Sequence, residues 1–329
     1  MSTLTKNPSS SAPTAKKGPD LPWLWDRYGI LAVLVILVVM MSVFAPNFLS
    51  VDNGLNVARA VSINAILAAG MTLVILTGGI DLSVGSVVAL TGVSSILLWT
   101  AGAPAIVAVL GGILVGAATG LINGSLIAYL GLPAFIITLG ALTYIRGFSY
   151  SLTDAQPLIA SDLGFRALGN GGIAGIPTPV ILMLAVYAIL WFVLERTTFG
   201  RHIYAIGGNP EAARLAGIKV KWTLVRVYLI MGACAGLAGV IFAARVESGQ
   251  PKAGEGYELD AIAAVVLGGT ALAGGRGRIV GTLIGALIIG VLSNGLVLMN
   301  VPFFYQLVVK GVVIVLAVGI DGLKNFKRA

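Results

Sequence analysis

The sequence predicts an all-α polytopic membrane protein of about ten transmembrane helices, arranged as two inverted halves of five. Three observations carry this. Apolar residues make up 57% of the 329 and charged residues only 10%, with a mean hydropathy of +0.98; a soluble domain carries about 25% charged residues. The apolar residues gather in runs close to the ~20 residues that cross a bilayer. The charges sit at the ends of those runs, as topology determinants do. The net charge of +8 is therefore not gathered into one nucleic-acid-binding face.

Residues 1–26, rich at first in Ser, Thr, Pro and Lys, read as a disordered cytoplasmic tail. The transmembrane domain follows at 27–320, with a cytoplasmic C-terminal tail at 321–329. Its ten apolar runs lie at 28–45, 55–77, 83–100, 104–130, 133–152, 177–195, 223–245, 259–274, 279–299 and 303–320. The first is a retained span and not a signal peptide, because a long tail precedes a strongly apolar run. The second, third and eighth are broken by Gly-Gly pairs and carry Asn or Asp, so hydropathy alone could merge or miss them.

Lys and Arg set the direction. With the N-terminus inside, Lys6, Lys16, Lys17 and Arg27, the six basic residues between Arg196 and Arg226, Arg276, Arg278, Lys324, Lys327 and Arg328 are all cytoplasmic. That is fifteen of the 21, so the positive-inside rule gives N-in and C-in, an even number of crossings, and outside loops at 153–176 and 246–258. The single cysteine, Cys234, lies in an apolar run and reads as a small buried hydrophobe.

The halves echo each other. Gly112, Leu114, Gly116, Ala117, Pro133 and Phe135 recur 169 residues later as Gly281, Leu283, Gly285, Ala286, Pro302 and Phe304. Five spans per half put the second half in the membrane the other way up, as in many transporters. The spacing Gly112/Gly116/Gly120 and Gly281/Gly285 is a small-residue packing stripe and says nothing of a solute.

Polar groups within the runs or at their ends are the candidate pathway or gating residues: Asn64, Asp81 between the second and third runs, Ser83, Asn123, Glu258 and Asp260 at the outer mouth of the eighth, Asn294, Tyr305 and Gln306. Ionisable groups in a membrane are costly and functional by default. Asp81 or Ser83 also suits a helix start after Gly78-Gly79, and that structural role is favoured. Glu258 and Asp260 read as capping or gating groups, the neutral ones as interhelical hydrogen-bonders, and Lys310 as snorkelling or pairing with a carboxylate. No nucleotide-binding P-loop, metal-ligand set or nucleophile–base pair is evident, so no enzymatic role, metal or cofactor is expected.

The polar loop 196–222 is the most legible segment. Asn209 suits an N-cap, Pro210 the first helical position, Glu211 the positive helix end and Gly217 a left-handed C′. These predict a two-turn helix over Pro210–Ala216 on the cytoplasmic surface. It is too short to stand alone in water, so it is expected to dock, through Ala212, Ala213, Leu215 and Tyr204, with polar contacts from Glu211 and Arg214.

Glu211-Ala212-Ala213 followed by Gly217 resembles the E-A-A-x-x-x-G loop of ABC importer permeases, without the Leu-Pro that usually follows it. Gly79–Ser86, Gly207-Gly208-Asn209, Glu258–Thr270 and Gly274–Gly281 resemble the ribose permease family of bacterial sugar importers. The resemblance implies a type II ABC importer-like permease in the bacterial inner membrane, moving ribose or a related pentose or polyol. It implies a second copy of the chain, a periplasmic sugar-binding protein, and a separate ATPase that binds the ATP and docks on Asn209–Leu215 and Gly217. The alternatives are an ion-coupled sugar carrier using Asp81 and Asp260, and a sugar-permeable channel.

Overall fold

The computed structural model describes residues 21–326. Most of the predicted tail, residues 1–20, and residues 327–329 lie outside the described residues. The elements are α1 (Leu21–Phe44), α2 (Val51–Leu76), α3 (Val84–Thr100), α4 (Ala105–Leu130), α5 (Ala134–Ser151), β1 (Leu158–Ile159), α6 (Ala167–Asn170), β2 (Gly172–Ile173), β3 (Ile176–Pro177), α7 (Thr178–Arg196), α8 (Thr198–Gly208), α9 (Pro210–Leu215), α10 (Val220–Val246), β4 (Ser248–Gly249), α11 (Tyr257–Leu267), α12 (Ile279–Leu298) and α13 (Phe303–Phe326). Each of the ten apolar runs is represented by a helix: α1 to α5, α7, and α10 to α13.

Among the described residues, five helices are long and apolar enough to cross a membrane: α2, α4, α7, α10 and α12. The eighth run departs most from expectation. Its helix, α11, is 11 residues, about 16 Å at 1.5 Å per residue, half the ~30 Å of a hydrocarbon core. It stops at Leu267 because Gly268 and Gly269 follow, the latter at φ +83°, where the chain turns. At the ends, α1 begins at Leu21, inside the segment read as tail, and α13 runs on to Phe326 through residues read as the C-terminal tail. Apolar and helix-forming residues there continue the helical turn. The sequence reading also passed over α8.

Of these five long helices, α2 and α10 are the most buried. They exchange partners: α10 lies against α3 and α4, and α2 against α11 and α12. Small residues permit the close approach. On α4, a Cβ on Gly116 or Gly120 would collide with the Gly232 or Tyr228 carbonyl of α10; on α12, one on Gly281 or Gly285 would collide with the Gly268 or Ala264 carbonyl of the α11 end. Both glycine stripes thus serve close packing. In lipid, where no hydrophobic force joins helices, this packing stands in for it. Cys234 is buried, as expected.

The connections gather at two ends. At one, β1 pairs antiparallel with β4, and Arg166 Nε meets Glu247 Oε1 at 2.7 Å, joining the two loops read as outside. At the other, the Leu76 carbonyl, α8 and the turn 271–278 come together. Between the ends, the first turn of α3, at Gly85, lies against the break before α11, at Gly254, and their backbones touch.

Candidate functional site

The solvent-facing site is α9, and local sequence builds it. Asn209 Oδ1 accepts from the Ala212 N–H at 3.0 Å, and Pro210 holds the first turn, where its missing N–H costs nothing. At the other end the Gly217 N–H donates to Arg214 O and the Ile218 N–H to Ala213 O, each at 3.0 Å. This paired closure requires a left-handed residue, and Gly217 sits at φ +83°. Glu211 and Arg214 pair at 2.9 Å across one turn; both are exposed, so the pair adds only about a few tenths of a kcal/mol.

The helix faces are not those expected. Ala213 is 4% exposed against the chain's own body, and the Tyr204 hydroxyl donates to the Gly277 carbonyl at 3.0 Å. Both point inward because α8 and α9 pack as a pair on the core. The outward face is Glu211, Ala212, Arg214 and Leu215, the last 80% exposed. Burial, with the Glu195 carboxylate, holds the Tyr204 phenol above its usual pKa against a smaller opposing effect of Arg278, so it stays a neutral donor.

The nine candidate pathway residues fall into separate sets. Asp81 is 2% exposed; its Oδ1 accepts from the Ser83 N–H at 2.9 Å and the Ser83 hydroxyl at 2.6 Å. The Ser83 Oγ in turn accepts from Asn123 Nδ2 at 3.1 Å, and Asn123 Oδ1 from the Tyr144 hydroxyl at 3.4 Å. Asp81 therefore braces the turn into α3. Ser83 stands at the N-cap position but makes no side-chain cap bond, because its hydroxyl is committed to Asp81. Glu258 lies over Gly85, where the first turn of α3 touches the break before α11.

Asp260 belongs to a second set. Lys310 Nζ approaches its Oδ2 at 2.9 Å, and Asn64 Nδ2 lies at 3.5 Å from the same oxygen. The lysine pairs with a carboxylate and does not snorkel. Asn294 sits apart, in a reciprocal amide pair with Asn53 at 2.9 and 3.1 Å. Gln306 donates to the Val301 carbonyl at 2.8 Å and closes the turn between α12 and α13, and Tyr305 is exposed against Phe304.

Several residues escaped the sequence reading. Arg146 donates to the Pro251 and Ala253 carbonyls at 2.8 and 2.7 Å and pins the break before α11. Tyr228, fully buried on α10, turns its hydroxyl toward Gly79 and has no partner among the described residues. Asn53 and Tyr144 complete amide and hydroxyl pairs. Nothing local marks these residues; their partners are distant in sequence. Among the described residues, no group of three or more His, Cys, Asp or Glu is placed to hold a metal ion.

A bundle of apolar helices with broken halves, paired buried charges and an exposed capped helix at one end defines a membrane permease. The chain belongs to the family described as branched-chain amino acid transport system/permease component, whose profile matches residues 53–318. It is 49% identical over 308 residues to the ribose import permease protein of Escherichia coli strain K12, covering 92% of this chain and 95% of that protein. It is 48% identical to the ribose import permease protein of Bacillus subtilis strain 168, covering 95% and 98%. It is 42% identical to the D-allose transport system permease protein of Escherichia coli strain K12, covering 95% and 97%. These relatives are named as transport permeases and not as enzymes. No solved structure matches this chain.

Proposed function

We propose that this chain is the membrane-spanning subunit of an ATP-driven importer that carries a monosaccharide, ribose first, across the bacterial inner membrane. The observation that carries the reading is the near-full-length similarity to two ribose import permeases. The family description names amino acids, but a family spans many cargoes and the near relatives named above transport sugars. The chain works as a homodimer with a periplasmic sugar-binding protein and a separate ATPase that binds the ATP. The ATPase docks on α9, with Leu215 and Ala212 as apolar contacts and Glu211 and Arg214 at the rim.

The ten helices form ten passes, α11 with its preceding break serving as one, with both termini cytoplasmic. Clustering of the loops into two ends supports this parity. So does the set of cations beside aromatic rings near the α8–α9 end: Arg196 over Trp191, Lys221 over Tyr129 and Arg226 over Trp222, at 5.7, 5.7 and 4.9 Å, as expected of an interfacial belt. The exchange of α2 and α10 between halves supports two inverted repeats. Solute selection rests mainly with the binding protein, and Asp81, Ser83, Asn123 and Glu258, around the start of α3, gate the path.

The test is co-purification with the ATPase, then uptake into vesicles of ribose, allose and arabinose with the binding protein present. ATP-dependent accumulation of one sugar is expected. Accumulation driven by a proton or sodium gradient without the ATPase, or simple equilibration, would sink the reading.

A further inference from the structure

The glycine-rich turn after α11 has no role in the docking face, yet its backbone packs directly against the end of α2 and against α8. The Gly275 N–H donates to the Leu76 carbonyl at 2.9 Å. Leu76 is the last residue of α2, so this bond ties the end of α2 to the turn between α11 and α12. A Cβ on Gly207 would collide with that same Leu76 oxygen and with the Gly275 nitrogen. The backbone of α8 therefore lies directly on the bond. Tyr204, three residues earlier on the same helical face, donates to the Gly277 carbonyl at 3.0 Å and fixes the rotation of α8 about the turn.

We propose that this backbone clasp of Leu76, Gly207 and Gly275, oriented by Tyr204, is the positioning element through which the α8–α9 arm moves the break after α2 together with the glycine-rich turn after α11. The inference rests on the ATP-driven reading above. Asn209 alone separates α8 from α9, and it caps α9, so a displacement of α9 reaches Gly207 with little slack. At the clasp no side chain intervenes to absorb the motion by changing rotamer. Backbone meets backbone, and close-packed contacts transmit strain. Beyond Leu76 the chain enters the break that holds Asp81; beyond Gly275 it enters α12. A cleft of about 840 Å³, lined by Ile30, Tyr204, Gly277 and Arg278 among others, lies beside the clasp and gives α8 room to shift.

The test uses the full complex with its ATPase and binding protein in vesicles. Tyr204→Phe removes one hydroxyl and no packing volume. The expected result is at least a threefold fall in sugar moved per ATP hydrolysed, with ATPase binding retained. An unchanged ratio overturns the proposal. Because Gly207→Ala alters backbone packing and can fail to assemble, the second measurement uses the parent complex. Amide exchange is followed in residues 75–80 and 274–278, without nucleotide and with a trapped ATP analogue. The two segments are expected to change protection together; change in neither, or in only one, overturns the clasp. If the parent complex shows no ATP-driven uptake, the transport reading fails. If parent and Tyr204→Phe couple equally well, the clasp alone fails.

Discussion

Asp260 and Lys310 show what one pair does inside a membrane bundle. Asp260 is 7% exposed and has Lys310 at 2.9 Å. Removing one partner of such a pair leaves an uncompensated buried charge, at a cost of about 3–5 kcal/mol, whereas replacing both with apolar residues is often near neutral. Lys310→Met should therefore lower the thermal midpoint of the purified chain strongly, and Lys310→Met with Asp260→Leu should recover most of the loss. A double variant no more stable than the single would show that the pair is not what holds α11 to α13. Gly217 is the other decisive residue. A Cβ there meets no neighbour, but φ is +83°, so the penalty is backbone strain, about 1–2 kcal/mol for a side chain in the left-handed region and more for a β-branched one. Gly217→Val should abolish ATP-driven uptake while leaving membrane insertion intact; normal uptake would remove α9 from the mechanism. Asp260 was legible only as a capping or gating group at the mouth of the eighth run, and its partner, 50 residues on, only as a lysine that snorkels or pairs with some carboxylate.

At the scale of the element, α9 owes its shape to its ends. Six residues cannot pay the nucleation cost of a helix, so caps and docking on α8 hold it. Asn209→Ala removes one cap bond, worth about 1 kcal/mol, and should speed amide exchange across 210–216 roughly fivefold without unfolding the bundle; unchanged exchange would assign the stability to docking alone. Local signals made this helix readable to within one residue. They did not show that Ala213 and Tyr204 face inward, because a two-turn pattern does not say which side meets the core. The α4–α10 contact behaves differently. Gly232 of α10 lies on the backbone of Gly116 and Gly120. Gly232→Val should prevent the two helices from closing and show as loss of a monodisperse peak in detergent; a normal elution profile would mean that the stripe tolerates separation.

For the whole molecule, the proposed topology makes a direct prediction. In a Cys234→Ser background, Leu215→Cys should react with an impermeant maleimide only from the cytoplasm and Ile173→Cys only from outside. Both residues are exposed, on α9 and β2 respectively. Labelling of both from one side would overturn the ten-pass arrangement. The contact between Gly85 and Gly254 also belongs to this scale. It joins the first turn of α3 to the break before α11, far apart in the chain, and brings Glu258 over Gly85.

Composition, run length and the placement of Lys and Arg determined the class of this protein, because a bilayer admits few backbone solutions and long apolar runs are the mark of one. Caps and a left-handed glycine determined α9, because each acts within four residues. Tertiary structure alone decided the rest. It paired Asn294 with Asn53 and Asp260 with Lys310, shortened α11 to half a span, exchanged α2 and α10 between the halves, and laid Gly207 on the bond between Leu76 and Gly275. Those outcomes depend on which helices come within contact distance, and close packing of small residues leaves many sequence-equivalent choices until the whole bundle is assembled.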